Sequence, residues 1–134
     1  MRSMLVGFRF IDDPEGFSDP QALVVRIPRG LRSRRGLFEI LKRELRLPAY
    51  FGDNWDALEE CLRDLGWLRE PRRIVLVHES IPFADDAEKR ATYLKILRDS
   101  IAEWKAEDPH EILAVFPGSS QPEIKTILSQ PGKA

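Results

Sequence analysis

Four consecutive apolar residues, Ile74 to Val77 in RRIVLVHE, place the strongest limit on the fold. A strand with one wet face alternates apolar and polar residues, whereas a continuous run suits a strand covered on both faces, as in parallel sheets. Parallel neighbours need long crossovers, usually helical, and the chain supplies them. ALVVRI, Ala22 to Ile27, reads as an earlier strand ended by Pro28 and Gly30, and EILAVFP, Glu111 to Pro117, as a later one. Between the first two, Leu37, Ile40, Leu41 and Leu45 recur at helical spacing behind a Ser33 cap. Pro48 stops that helix, and Gly52 is expected to supply an unusual backbone angle before the next. Asp53 or Asn54 caps the second helix, whose core face is Trp55, Leu58, Leu62 and Leu65 with Cys61 at its margin. A long helical pattern from Asp85 to Glu107 carries Tyr93, Leu94, Leu97, Ile101 and Trp104 on one side.

The order strand, helix, helix, strand, helix, strand predicts an α/β fold. The expected form is a small three-layer-type domain: a three-stranded parallel sheet flanked by helices, with pairing near Val24, Val75 and Leu113. MLVGFRFI reads as an extra N-terminal strand, weakened by Gly7, and PEIKTILSQPG as a short closing helix. Residues 1–21 are an N-terminal extension of strand and loop, and 22–134 form the main domain.

The 134 residues suit one ordinary domain, 43% hydrophobic and 32% charged. No apolar run is long enough for a spanning helix, and MRSMLVGFRF lacks the features of a signal peptide. The lone Cys61 cannot form an internal disulfide. Together these point to a cytoplasmic protein away from membranes.

The formal net charge is -1, but the charges come in blocks. Eight basic residues, Arg26, Arg29, Arg32, Arg34, Arg35, Lys42, Arg43 and Arg46, face only Glu39 and Glu44 within that stretch. Asp53, Asp56, Glu59 and Glu60 follow, with no base between Arg46 and Arg63. On a helix, Asp56, Glu59, Glu60 and Arg63 fall opposite the core face, with Asp56 and Glu60 one turn apart. This is either a solvated face with a favourable acidic first turn or a surface for a positive partner. Tyr50, in the connecting segment, suits a binding site as a rigid ring with a hydroxyl, and Phe51 reads as core.

Catalysis finds little support. His78 and His110 show no metal-ligand spacing with Cys61. Ser119 and Ser120 lack a nucleophile elbow, and FPGSS lacks the phosphate-loop pattern. Asp56 and Glu60, side by side on an open helix, both stay ionised rather than dividing into acid and base. No catalytic residue, metal or cofactor is expected. RNA binding by the block from Arg26 to Arg35 is the main rival, although that block contains no aromatic for stacking. The block is expected to be a solvated edge turned away from the acidic face.

LKRELRLPAYFGDNWDALEECL, Leu41 to Leu62, resembles the signature of the barstar family, small intracellular bacterial inhibitors of secreted ribonucleases. The likeness rests on Tyr50, Phe51, Gly52, Asn54, Asp56, Ala57, Leu58, Cys61 and Leu62, and extends more loosely from about Ala22 to Phe116. It implies a non-catalytic chain, a monomer when free, whose second helix plugs a basic ribonuclease or nuclease toxin. Carried over by position, Tyr50 packs on the enzyme, Asn54 and Asp56 begin the contact face, and Glu60 enters the phosphate pocket. Glu59 stands where the family pattern has a tryptophan, and Glu60 where it has an aspartate. Asp53 and Arg63 are secondary candidates. Glu103 and Glu107 are the candidates for a further acidic contact from the long helix. The alternative reading is an interaction or immunity protein for a different basic partner.

Overall fold

The computed structural model describes residues 5–49 and 51–130. Its strands are β1 (Phe8–Ile11), β2 (Ala22–Ile27), β3 (Arg73–His78) and β4 (Glu111–Pro117). Its helices are α1 (Arg34–Leu45), α2 (Trp55–Asp64), α3 (Ala87–Glu103) and α4 (Gln121–Ser129). The strands form one sheet in the order β1-β4-β3-β2, with parallel pairing throughout. Val24 lies beside Val75, and Val75 beside Leu113, the register expected for the three-stranded core.

The N-terminal strand completes that core as a fourth member, paired with β4 from Phe8↔Ala114 to Ile11↔Pro117. It starts only after Gly7, whose φ of +81° is a left-handed value that glycine adopts freely. A Cβ there would lie 2.3 Å from Ile101 Cγ2, so the close approach of α3 also requires glycine.

One sheet face carries all four helices. Val25, Ile27, Ile74, Leu76, Ile112, Ala114 and Phe116 point into a single apolar cluster with Leu37, Leu41, Leu58, Leu62, Leu97 and Ile124. On the other face, Val75, Val77 and Val115 are buried beside Phe17. The third layer is thus a thin one: a 3-10 turn at Pro14–Gly16 and the ring after it, held by Arg26, which donates to the carbonyls of Pro14 and Phe17. This double cover explains the uninterrupted IVLV run.

Helix ends are closed by identifiable side chains. Ser33 and Asp86 cap α1 and α3 by accepting from Gly36 N and Lys89 N. The Trp67 and Trp104 indoles donate to the Leu45 and Leu62 carbonyls, both at 2.9 Å, and so satisfy groups left free near the C-termini of α1 and α2. The long helix is shorter than its sequence pattern. It ends at Glu103, and Trp104 is extended (φ −78°, ψ 131°) while Asp108 accepts from Lys105 N to shape the next turn. Trp104 still packs on the core, because leaving the helix aims its indole at α2.

His78 is fully buried at the end of β3, stacked 4.0 Å from Phe116. Its Nδ1 lies 3.0 Å from Val115 O and its Nε2 2.6 Å from the Tyr93 hydroxyl. Arg90 joins three segments by donating to the Ile81 and Pro82 carbonyls and pairing with Glu123 on α4.

Candidate functional site

The acidic segment begins where α1 stops. Arg46 takes a left-handed conformation (φ 53°), Leu47 N donates back to Lys42 O, and Phe51 N closes a turn onto Pro48 O. Tyr50 lies outside the described residues. The unusual angle expected at Gly52 belongs instead to Asp53, with φ 51°. Aspartate is one of the few residues that tolerates that region, and Lys42 holds its carboxylate at 3.1 Å. The same hydrogen bond is the main reason the Lys42 ammonium titrates above its usual range.

Asn54 is the cap. Its Oδ1 accepts from Ala57 N at 2.8 Å, and its Nδ2 donates to Gly52 O at 3.2 Å. The side chain expected to begin the contact face is thus also engaged in starting the helix. Trp55 follows, half-buried, edge-on to Phe38 at 5.2 Å and to Phe83 at 6.0 Å. Phe51 is buried and meets Phe38 edge-on at 5.4 Å. With Leu58, Cys61 and Leu62 buried beneath, the helix is fixed from below along its length.

Its outer side divides in two. Asp56 and Glu60 are exposed and have no basic partner among the described residues. Glu59 is half-buried and paired with Arg63 at 3.3 Å; Arg63 also reaches Glu103, the last residue of α3, at 3.8 Å. The structure therefore brings Glu59, Arg63 and Glu103 together. Glu107 is an exposed loop residue beyond α3 that makes no ion pair among the described residues.

Sequence reasoning passed over Asp64, which continues the row without a basic partner among the described residues, its Oδ1 accepting only from Gly66 N at 3.2 Å. Asp56, Glu60 and Asp64 are spaced four apart, one turn each, and the same i, i+4 arithmetic reaches Asp64. Glu60 and Asp64 also border one cavity of about 160 Å³ with Phe51, Ala57 and Cys61. Burial, then the charges of Asp64 and Glu60, push the Cys61 thiol up. A negative potential there favours a cation.

The basic block is not a uniform edge. Arg29 pairs with Glu15 and Glu79, and Arg43 with Glu44. Arg34 and Arg35 instead line a cleft of about 550 Å³ with Phe38, Glu39, Asp53 and Lys89. The block was expected to be a solvated edge turned away from the acidic face; Arg26, Arg29, Arg32, Arg34 and Arg35 are exposed, while the front of the block meets the acidic segment at Asp53, which lines the cleft with Arg34 and Arg35 and is held by Lys42.

Among the described residues there is no cluster of histidine, cysteine and carboxylate side chains that would hold a metal, and no helix long and apolar enough to cross a membrane. The family model described as Barstar (barnase inhibitor) matches residues 22–116, from the start of β2 to Phe116 near the end of β4. That span contains the parallel core, the capped helix and its acidic row, and it assigns the chain to a family of ribonuclease inhibitors rather than enzymes: the chain belongs to the barstar family.

Proposed function

We propose that this protein inhibits a basic ribonuclease by laying the outer face of α2 over the enzyme's phosphate-binding centre, where Asp56 and Glu60 take the place of RNA phosphates. The observation that carries this reading is the row of exposed carboxylates without basic partners on a helix whose other side is locked into the core. Exposed charge of one sign steers a partner of the opposite sign, and a rigid platform lowers the ordering cost of binding. Asp64 extends the row. Glu59, held by Arg63, contributes at the edge with Glu103. Tyr50 is proposed to pack on the enzyme, as the family resemblance implies, and Asn54 to position Asp56 through the cap.

Titrating barnase and the basic ribonucleases of the source organism with the parent and single variants tests the reading. Inhibition is expected to be competitive with RNA, with an association rate that falls as salt rises. Glu60→Ala should cost most, about 2–5 kcal/mol, by leaving enzyme cations unpaired in the complex. Asp56→Ala comes next, and Tyr50→Ala acts mainly by faster dissociation. A folded Glu60→Ala that inhibits as well as the parent removes the phosphate-mimic assignment.

A further inference from the structure

The front of α1 carries a charge feature that the acidic row leaves unused. Arg26, Arg29, Lys42 and Arg43 are engaged by carbonyls or carboxylates within the fold. Arg34 and Arg35 meet no carboxylate among the described residues; the Arg34 guanidinium lies 5.9 Å from the Phe38 ring centroid. Both flank the cleft of about 550 Å³. Its two carboxylates share one ammonium, since Lys42 lies 3.7 Å from Glu39 and 3.1 Å from Asp53. Lys89 is matched by Asp86 at 3.4 Å. Arg34 and Arg35 are thus the cations of the cleft without a carboxylate partner, and they leave it with a small positive excess; the cleft adjoins the acidic segment through Asp53.

We propose that this cleft is the second half of the partner surface: a carboxylate side chain on the rim of the ribonuclease's basic centre enters it and pairs with Arg34 and Arg35. The inference rests on the proposed function and adds to it a positive contact that sets the docking orientation. Guanidinium groups bind carboxylates in a planar, two-pronged geometry that fixes direction as well as sign. A surface negative along α2 and positive at the front of α1 rejects partners docked in the wrong register. A uniformly basic partner would be repelled at Arg34 and Arg35; an acidic group opposite them turns that repulsion into a contact. RNA fits the cleft less well. Glu39 and Asp53 line it and oppose a continuous phosphate backbone, and the Phe38 ring is buried, leaving no stacking platform.

The test uses the full chain and whichever ribonuclease the parent inhibits among barnase and the basic ribonucleases of the source organism. R34Q/R35Q should bind at least about tenfold more weakly, and R34E/R35E more weakly still. Arg32→Glu, outside the cleft, should stay within about twofold of the parent. Each rim Asp or Glu of that ribonuclease is then replaced by Lys. One replacement should restore most of the affinity of R34E/R35E, which a merely damaged fold would not permit. If R34E/R35E binds like the parent, this inference is overturned while the proposed function stands. Weak binding that no charge reversal rescues overturns the paired carboxylate. RNA retained by the parent and lost in R34E/R35E makes phosphate the occupant and also overturns it. If the parent inhibits none of these enzymes, the proposed function falls and takes this inference with it.

Discussion

Ser100 is fully buried on α3, and its hydroxyl has no hydrogen-bond partner among the described residues. A buried hydroxyl that gives up water without a replacement costs about 1–3 kcal/mol. Alanine removes that cost and is the better helix former. Ser100→Ala is therefore expected to stabilise the protein by about 1 kcal/mol, read as a higher midpoint in urea with an unchanged slope. A lower midpoint would show that the hydroxyl has a partner after all. Phe83 shows a different kind of local tension. It is fully buried with φ at +65°, unusual for a large side chain, and is held by a hydrogen bond from its own N–H to Leu31 O. Its ring supports Trp55 edge-on, so backbone tension in one loop helps fix the first residue of α2.

At the level of the element, α2 separates capping from recognition, and Asn54 is where the two meet. Asn54→Ala should cost about 1 kcal/mol of stability by removing the oxygen that accepts from Ala57 N. Asn54→Asp keeps such an oxygen and adds a charge favoured at a helix N-terminus, so its stability should return to near that of the parent. Denaturation and ribonuclease titration of both variants separate the roles. A stable Asn54→Asp that inhibits poorly would identify the amide itself as a contact. Much of this element was legible beforehand. The spacing of Trp55, Leu58 and Leu62 marks its core face, and the choice of cap had narrowed to two residues. The i, i+4 pairing of Glu59 with Arg63 was within reach of the same spacing argument; the contact of Arg63 with Glu103 was not, because Glu103 arrives on α3 through tertiary packing. The positive φ was assigned to Gly52 because glycine accepts it most readily, yet a salt bridge from Lys42 holds Asp53 there. The exposure of the basic block was legible, but its internal pairing was not: Glu15 and Glu79, which pair with Arg29, come from distant parts of the chain.

For the whole molecule, pH is the variable that reads the core. Burial pushes the His78 imidazole down from 6.5 to about 4. As a neutral ring it places Nδ1–H on Val115 O and accepts from the Tyr93 hydroxyl, so a second proton finds no acceptor. The unfolded chain binds that proton near pH 6.5 and the folded one only near 4. Stability should be highest above about pH 6.5 and fall toward pH 4 by up to about 1.4 kcal/mol per unit. Below that, a further decline comes from Asp19 and Glu111, whose carboxylates hydrogen bonds to Gln21 N and Arg73 hold below their usual range. Denaturation midpoints across this range check the slope, and a flat profile from pH 6.5 to 4.5 would rule out His78 as its source. The parallel pairing of β2, β3 and β4 and the double cover of β3 follow from apolar runs in the sequence; the place of β1 beside β4, the single helical face and the loop that serves as third layer do not. One consequence of that layout concerns how such a chain can change over generations. Leu58, Cys61 and Leu62 answer to the core, while Asp56, Glu60 and Asp64 answer to the outside, and no residue belongs to both sets. Substitutions on the outer row can therefore accumulate without eroding the scaffold. A lineage can trade one target for another in small steps, each intermediate still folded.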